Sequence, residues 1–260
     1  MGRPVNGYEL DGETVPGVTT IVGRGKSSAG LMQWVGKQNQ RMAEAALRRN
    51  LRSVLIPQIA AGNDSLIAQL NDFLGRDVDP NEFDPNRIRD FGAEVGTALH
   101  EMIEHYLQHG KSKTYADGEV LLAAIECMKA WHKWREQMPG MQVIGLEIAM
   151  VSRLYRYGGT CDAVITAGDG TIWLCDWKSS NNVYDDAIVQ CVAYAQLLRE
   201  TRAINVERIA IVNANKAGGL KWWLFDVEDV YETAWQTFLA SLTLYRNDAK
   251  LARMMRQNVQ

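Results

Sequence analysis

The chain has 260 residues, with 28 Lys and Arg against 31 Asp and Glu, for a formal net charge of −3. With 47% hydrophobic and 23% charged residues it has the make-up of a globular protein long enough to bury a sizeable core. That balance excludes a protein that coats a polyanion through bulk positive charge, and without an apolar run of about 18 residues no membrane-spanning helix is expected.

The opening MGRPVNGYELDGETVPG lacks the apolar core of a secretory signal, so a cytoplasmic location is the expectation. Residues 1–24 read as turn-rich with one short strand, VTTIV. Helical patterning covers 31–50 and about 53–75, and FLGRDVDPNEFDPNRIRD (73–90), rich in Asp, Pro and Asn, reads as a loop. Two helices follow, about 91–109 and 116–137. After Pro139-Gly140 the texture turns to short β runs at 143–151, 160–166 and 171–177. A helix at about 185–200, strands at 206–214 and 220–227 around a Gly-Gly turn, and a closing helix to about 246 complete the chain. This order predicts an α/β (α+β) fold, a mixed central sheet flanked by helices.

The four cysteines (127, 161, 175, 191) form no CxxC pair, which argues against a structural zinc or iron–sulfur site. Cys161 and Cys175 each neighbour an aspartate on a strand, which aims them at the opposite face as small core residues. Local basic groups stand at Arg24/Lys26, Arg41/Arg48/Arg49/Arg52, Arg87/Arg89 and Arg153/Arg156. Each taken alone reads as a solvated face.

The stretch GGTCDAVITAGDGTIWLCDWKSS (158–180) is different. Asp176 and Lys178 alternate onto one face of a strand. If Gly168-Asp169-Gly170 forms a three-residue loop, Asp162 falls directly opposite Asp176; a two-residue Asp-Gly turn puts the two on opposite faces. Opposed carboxylates repel unless something neutralises them, and hard oxygen ligands suit Mg²⁺ or Mn²⁺. A carboxylate pair, a metal and a lysine together describe phosphodiester hydrolysis. An Asp-x-Lys triplet alone is weak: Asp248-Ala249-Lys250 repeats it in the polar end of the last helix, with no strand and no upstream acid. Downstream, Gln190 and Tyr194 share a helix face at i, i+4. Upstream, GTALHEMIEH places His100 early in a helix but fails the HExxH zinc spacing.

Taken in order, His100 in GTALH, Asp162 in GGTCD, Asp176 and Lys178 in DWKSS, and Gln190 and Tyr194 in QCVAY resemble the PD-(D/E)XK nuclease superfamily. Within it they resemble the RecB-like branch of phage-type, CRISPR-adaptation and mitochondrial genome-maintenance nucleases. VPGVTTIV and LMQWVGK are similar to the N-terminal part of phage-type members. The resemblance implies a restriction-endonuclease-like core over 91–246 of a single nuclease domain spanning 1–260, with residues 27–90 a helical arch or cap inserted near the N-terminus.

It also implies a Mg²⁺-dependent deoxyribonuclease, Mn²⁺ substituting, with an exonuclease ahead of a structure-specific endonuclease or a non-cutting nucleic-acid binder. His100, Asp162, Asp176 and the Trp177 carbonyl would ligate the metal, and Lys178 would orient or deprotonate the attacking water. Gln190 and Tyr194 would hold Lys178 or the DNA backbone. Glu147 reads equally as an outer carboxylate of the metal site or as a solvent-facing strand residue. The cysteine pattern departs from that of the iron–sulfur members, so no cluster is carried over. Arg48, Arg49, Trp34 and Ser179 are candidate DNA contacts, with the core as the alternative place for Trp34. The implied partners are DNA with a free end, single- or double-stranded, and a recombination partner such as a single-strand annealing protein. The implied setting is a phage-infected bacterial cytoplasm.

Overall fold

The structure is a computed structural model and describes residues 4, 7–25 and 29–258. Lys26 lies outside them. By its internal contacts the chain divides into two compact units, residues 1–26 with 94–260, and residues 27–93.

The first unit is built on a five-stranded sheet of β3 (Gln142–Ser152), β4 (Tyr157–Thr166), β5 (Ile172–Lys178), β6 (Arg208–Ala214) and β7 (Leu220–Asp226), in that spatial order. The pairs β3·β4, β4·β5 and β6·β7 are antiparallel. The β5·β6 pair is parallel, because helix α7 (Asp186–Arg202) makes the crossover between them. The mixed sheet is the one expected.

One sheet face packs on α7, whose Ala-rich sequence is buried on most sides: Ala187, Val192, Ala193, Leu197 and Leu198 share a core with Val164, Leu174, Ile209 and Ile211. Helices α1 (Val18–Arg24) and α8 (Val227–Gln257) pack outside α7. Against the other face lies α6 (Gly118–Glu136), where Trp131 and Trp134 meet the Trp177 ring edge-on at 5.9 and 5.2 Å. An N-terminal hairpin of β1 (Tyr8–Leu10) and β2 (Glu13–Val15) lies on β4: a Cβ at Gly158 would stand 2.2 Å from Tyr8 Cγ, so only glycine admits the ring there.

In the second unit, α2 (Ala29–Asn50) runs into a π-helical turn (Leu51–Leu55) and a short α3 (Ile56–Ile59); after a break come α4 (Asp64–Leu74) and a 3₁₀ turn (Pro80–Phe83). Ile56, Ala60 and Leu74 form its small core with Leu51, Leu66, Ile67 and Leu70. Helix α5 (Pro85–His109) passes from the second unit into the first.

Four expectations need correction. VTTIV is helix α1, not a strand: Val18, Ile21 and Val22 are buried at helical spacing, and that burial outweighs the strand preference of β-branched residues. The helical pattern expected over 53–75 is interrupted between Ile59 and Asp64, where Gly62 adopts φ +78° and the Asn63 side chain caps α4 by accepting from Leu66 N. The loop expected over 73–90 contains the 3₁₀ turn and the start of α5, with Asn86 N donating to Asp84 Oδ1 at 2.9 Å and a proline opening the helix. Helix α8 runs to Gln257 rather than stopping near 246, as its exposed last turns are strong helix formers without a breaker.

Candidate active site

The turn between β4 and β5 decides the geometry. Ala167 N donates to Thr171 O at 2.9 Å, and Gly170 sits at φ +86°, a conformation that glycine supplies at no steric cost. The three-residue loop is therefore the one formed. The ladder pairs Thr166 with Ile172, Val164 with Leu174 and Ala163 with Cys175, the register that puts Asp162 across from Asp176.

The sheet opens at Asp162 itself. The ladder to β5 ends one residue earlier, and the Trp177 N–H instead donates to Asp162 Oδ2 at 2.7 Å. On the β3 side Glu147 stands across from Asp162 without pairing to it, between Leu146 and Ile148, which pair with Ala163 and Cys161. Glu147 has φ +46°, a left-handed conformation that costs an L-residue about 1–2 kcal/mol. Strain of this kind persists where the surroundings impose it, and here it accompanies a carboxylate turned inward. Its side chain is only 17% exposed, with Oε1 3.8 Å from His100 Nδ1.

His100, on α5, reaches the same place. Its Nδ1 lies 3.6 Å from Asp162 Oδ1, and its Nε2 bonds the Trp177 carbonyl at 3.1 Å. Ligand atoms of His100, Glu147 and Asp162 all fall within 4.8 Å of one another. Burial pushes the imidazole towards neutrality, but Asp162 and Glu147 outweigh it and hold its pKa up at about 9.

Asp176 is 2% exposed. Burial raises its carboxyl to about 6, against the pull of Lys178 and with the push of Asp162. Burial likewise raises Asp162. Lys178 Nζ lies 2.7 Å from Asp176 Oδ2 and donates to Gln190 Oε1 at 3.3 Å, while Gln190 Nε2 donates to Tyr194 OH at 3.0 Å. Desolvation would strip the lysine of its proton, but Asp176 and Asp162 prevail and keep it an ammonium. Tyr194 is buried and its phenol pKa is pushed well up by that burial. It reaches Lys178 through Gln190.

These groups line a cavity of about 340 Å³ with Tyr8, Thr19, Thr160, Ser179 and Ser180. Tyr8 OH and Thr160 Oγ1 bond each other at 3.0 Å. The residues fit a hard divalent cation: the carboxylates of Glu147 and Asp162 converge with the His100 imidazole, and the buried Asp176, across from Asp162, adds a third carboxylate whose Oδ2 is held by the Lys178 ammonium at 2.7 Å. His100 also has its far nitrogen fixed on a backbone carbonyl, as ring ligands usually do.

Glu147, left open between two readings by the sequence, stands beside His100 and Asp162. The signal for it was Gly145, two residues earlier at a register shift in β3, since glycine inside a strand marks irregular backbone. Tyr8 and Thr160, which also line the cavity, were missed. All four cysteines are buried and free, and burial pushes the Cys127 thiol up to about 11. Of the basic groups, Arg24, Arg89, Arg153 and Arg156 are ion-paired with Asp248, Asp90, Asp11 and Glu13. Arg49 is tied to Asp77 and Asp79 at 3.5 Å each. Trp34 is half-buried. In the described residues no helix is long and apolar enough to cross a membrane.

The fold is that of a PD-(D/E)XK nuclease, and the chain belongs to the PD-(D/E)XK nuclease superfamily, whose family model matches residues 70–258. No curated protein matches the sequence. Among solved structures it is similar to a candidate exonuclease from Eubacterium rectale, at 14% identity and TM-score 0.41, covering 69% of this chain and 75% of that one. It is also similar to an alkaline exonuclease from Laribacter hongkongensis, at 16% identity and TM-score 0.30, covering 62% and 91%. The complex of that enzyme with dAMP matches at 13% identity and TM-score 0.30, covering 63% and 97%.

Proposed function

We propose that the chain is a Mg²⁺-dependent DNA exonuclease. The observation that carries the reading is Asp162, held open at a gap in the sheet between Glu147 and Asp176, with His100 above it and the Lys178 ammonium alongside. His100, Glu147, Asp162 and Asp176 would hold the ion, while the Trp177 carbonyl takes the His100 nitrogen on the far side of the ring at 3.1 Å and so positions the imidazole rather than the ion. A divalent cation bound there would supply Lewis-acid chemistry, offsetting charge on the scissile phosphate and lowering the pKa of water.

The protein's own groups do the rest. Lys178 is fixed by Asp176 and Gln190, so its remaining donor capacity is pre-oriented for a water or a phosphate oxygen, where negative charge grows in the transition state. Tyr194 holds Gln190 and thereby the lysine. Ser179 and the Tyr8–Thr160 hydroxyl pair offer neutral hydrogen bonds to the substrate along the cavity wall.

In this reading the substrate is DNA with a free end, and the setting is DNA recombination, replication or breakdown by a phage in its bacterial host, a single-strand annealing protein being a natural partner. The test is digestion of end-labelled single- and double-stranded DNA with Mg²⁺, alongside Lys178→Ala. Cleavage of linear but not covalently closed circular DNA, abolished by chelator and in the variant, is expected. Cutting that persists in chelator ends the metal reading, and efficient cutting of closed circles ends the exonuclease reading.

A further inference from the structure

The second unit carries eight basic and eight acidic side chains, so any attraction for a polyanion must be local. Its arginines divide into two kinds. Arg49 is held by Asp77 and Asp79; Arg52, 16% exposed, lies 3.7 Å from Asp77 and donates to the Asn71 carbonyl. These two pin the 76–79 segment to α2 and its continuation.

Arg41 and Arg48 are exposed and have no carboxylate within 4 Å among the described residues. The acid between them, Glu44, accepts from Gln40 instead, at 2.9 Å. At seven residues apart the two arginines lie two turns along one face of α2, about 10 Å of axial rise. Both line a cavity of about 320 Å³ with Glu44, Arg76, Val78 and the half-buried Phe83. Arg76 is 79% exposed and only loosely paired, 3.8 Å from Glu82.

We propose that this pocket is a binding site for a single-stranded nucleic acid, with Arg41, Arg48 and Arg76 on successive phosphates and Phe83 against a base or sugar. Guanidinium groups grip phosphate oxygens in a fork, and an aromatic surface beside them accepts any base, which is the combination that holds single strands without reading sequence. The ion pairs of Arg49 and Arg52 keep the 76–79 segment folded back, so that Arg76, Val78 and Phe83 face α2. The inference rests on the nuclease reading for the identity of the polymer, but uses none of the residues placed around the metal site.

The test is the affinity of the full chain for a fluorescein-labelled oligothymidine, by anisotropy over a salt series in chelator, where nothing is cut. Arg41→Gln with Arg48→Gln should weaken binding and flatten the log–log salt slope by about 0.7 for each lost phosphate contact. Arg41→Lys with Arg48→Lys should keep most of the slope. Phe83→Ala should cost roughly fivefold or more in affinity with the slope unchanged. Arg49→Gln should lower the melting temperature.

An unaltered slope in the Gln pair, absence of binding by the wild type, or equal binding of a poly-glutamate peptide would each overturn the proposal. The lysine pair keeps fold and charge, and so separates a lost contact from a lost structure. Cleavage by the wild type with normal binding in the Gln pair defeats this site and leaves the nuclease standing; salt-dependent binding lost in the Gln pair, with no cleavage, does the reverse.

Discussion

Consider Asp176→Asn in the metal-free protein. Asp176 is 2% exposed, and its carboxyl is raised from 3.8 to about 6, first by burial and then by Asp162, with Lys178 offsetting part of the rise. A gap of about two pH units, at about 1.4 kcal/mol each, makes the ionised carboxylate cost the folded state on the order of 3 kcal/mol. The sign follows from which state binds the proton more tightly. Here it is the folded one, so the cost is absent below about pH 4, grows as the unfolded carboxyl ionises, and is complete above about pH 6. Asparagine has nearly the same shape and never ionises. In chelator at pH 7.5 the variant should therefore melt higher than wild type, by up to roughly 5–10 °C for a chain of this size. The gain should shrink towards zero as the scan is repeated down to pH 4. Adding Mg²⁺ should stabilise the wild type more than the variant, closing the gap from the other side. Differential scanning calorimetry reads all three. A variant that melts at or below wild type in chelator at pH 7.5 would show that Asp176 is held by favourable contacts, and the account of a site built around unfavourable charge would fail.

Three further outcomes follow from the geometry. A Cβ at Gly159 would stand 2.6 Å from Tyr194 Cε1 and 3.0 Å from Leu197 Cδ1, so Gly159→Ala should cost about 1–3 kcal/mol by overpacking. By pushing Tyr194 off Gln190 it should also slow single-turnover cleavage more than it weakens DNA binding. Glu147→Gly relieves a left-handed backbone while removing a carboxylate: its metal-free melting temperature should match or exceed wild type, while Mn²⁺ affinity measured by titration calorimetry falls. With the His100 pKa at about 9, the ring is charged at pH 7.5 and must give up a proton to become a ligand. Calorimetric titrations in buffers of different ionisation enthalpy should then report close to one proton released per ion bound, and markedly less for His100→Ala.

The Asp162–Asp176 register was readable down to one local choice, the length of the Gly168–Gly170 loop, which the sequence left open and the Ala167–Thr171 hydrogen bond settles; residue parity does the rest. The mixed character of the sheet was readable because a helix lies between two of its strands and a helical crossover implies a parallel pair among antiparallel ones; the strand order was not read. Glu147 was only half readable: strand alternation assumes regular backbone, and one left-handed residue re-aims a side chain that parity sends elsewhere. The VTTIV segment misled for a different reason. Its residues prefer strands, yet three of them at helical spacing have a core to fill, and tertiary burial outweighs local preference. The arginines of α2 could not be sorted at all from their spacing, since Asp77 and Asp79, which tie down Arg49, lie about thirty residues further along the chain.

Trp177 joins the cavity to the core in a way that makes the two hard to alter separately. Its N–H is held by Asp162 and its carbonyl by His100, while its ring is wedged between Trp131 and Trp134. Both bonds to the cavity belong to the main chain, so no substitution at 177 other than proline deletes either one. What a substitution can do is free the two peptide planes to rock, and so can a change at Trp131 or Trp134, whose side chains lie on the far side of the sheet. Drift in the aromatic cluster would then surface as a functional defect in a protein that still folds, and screening that cluster for stability alone would overlook it.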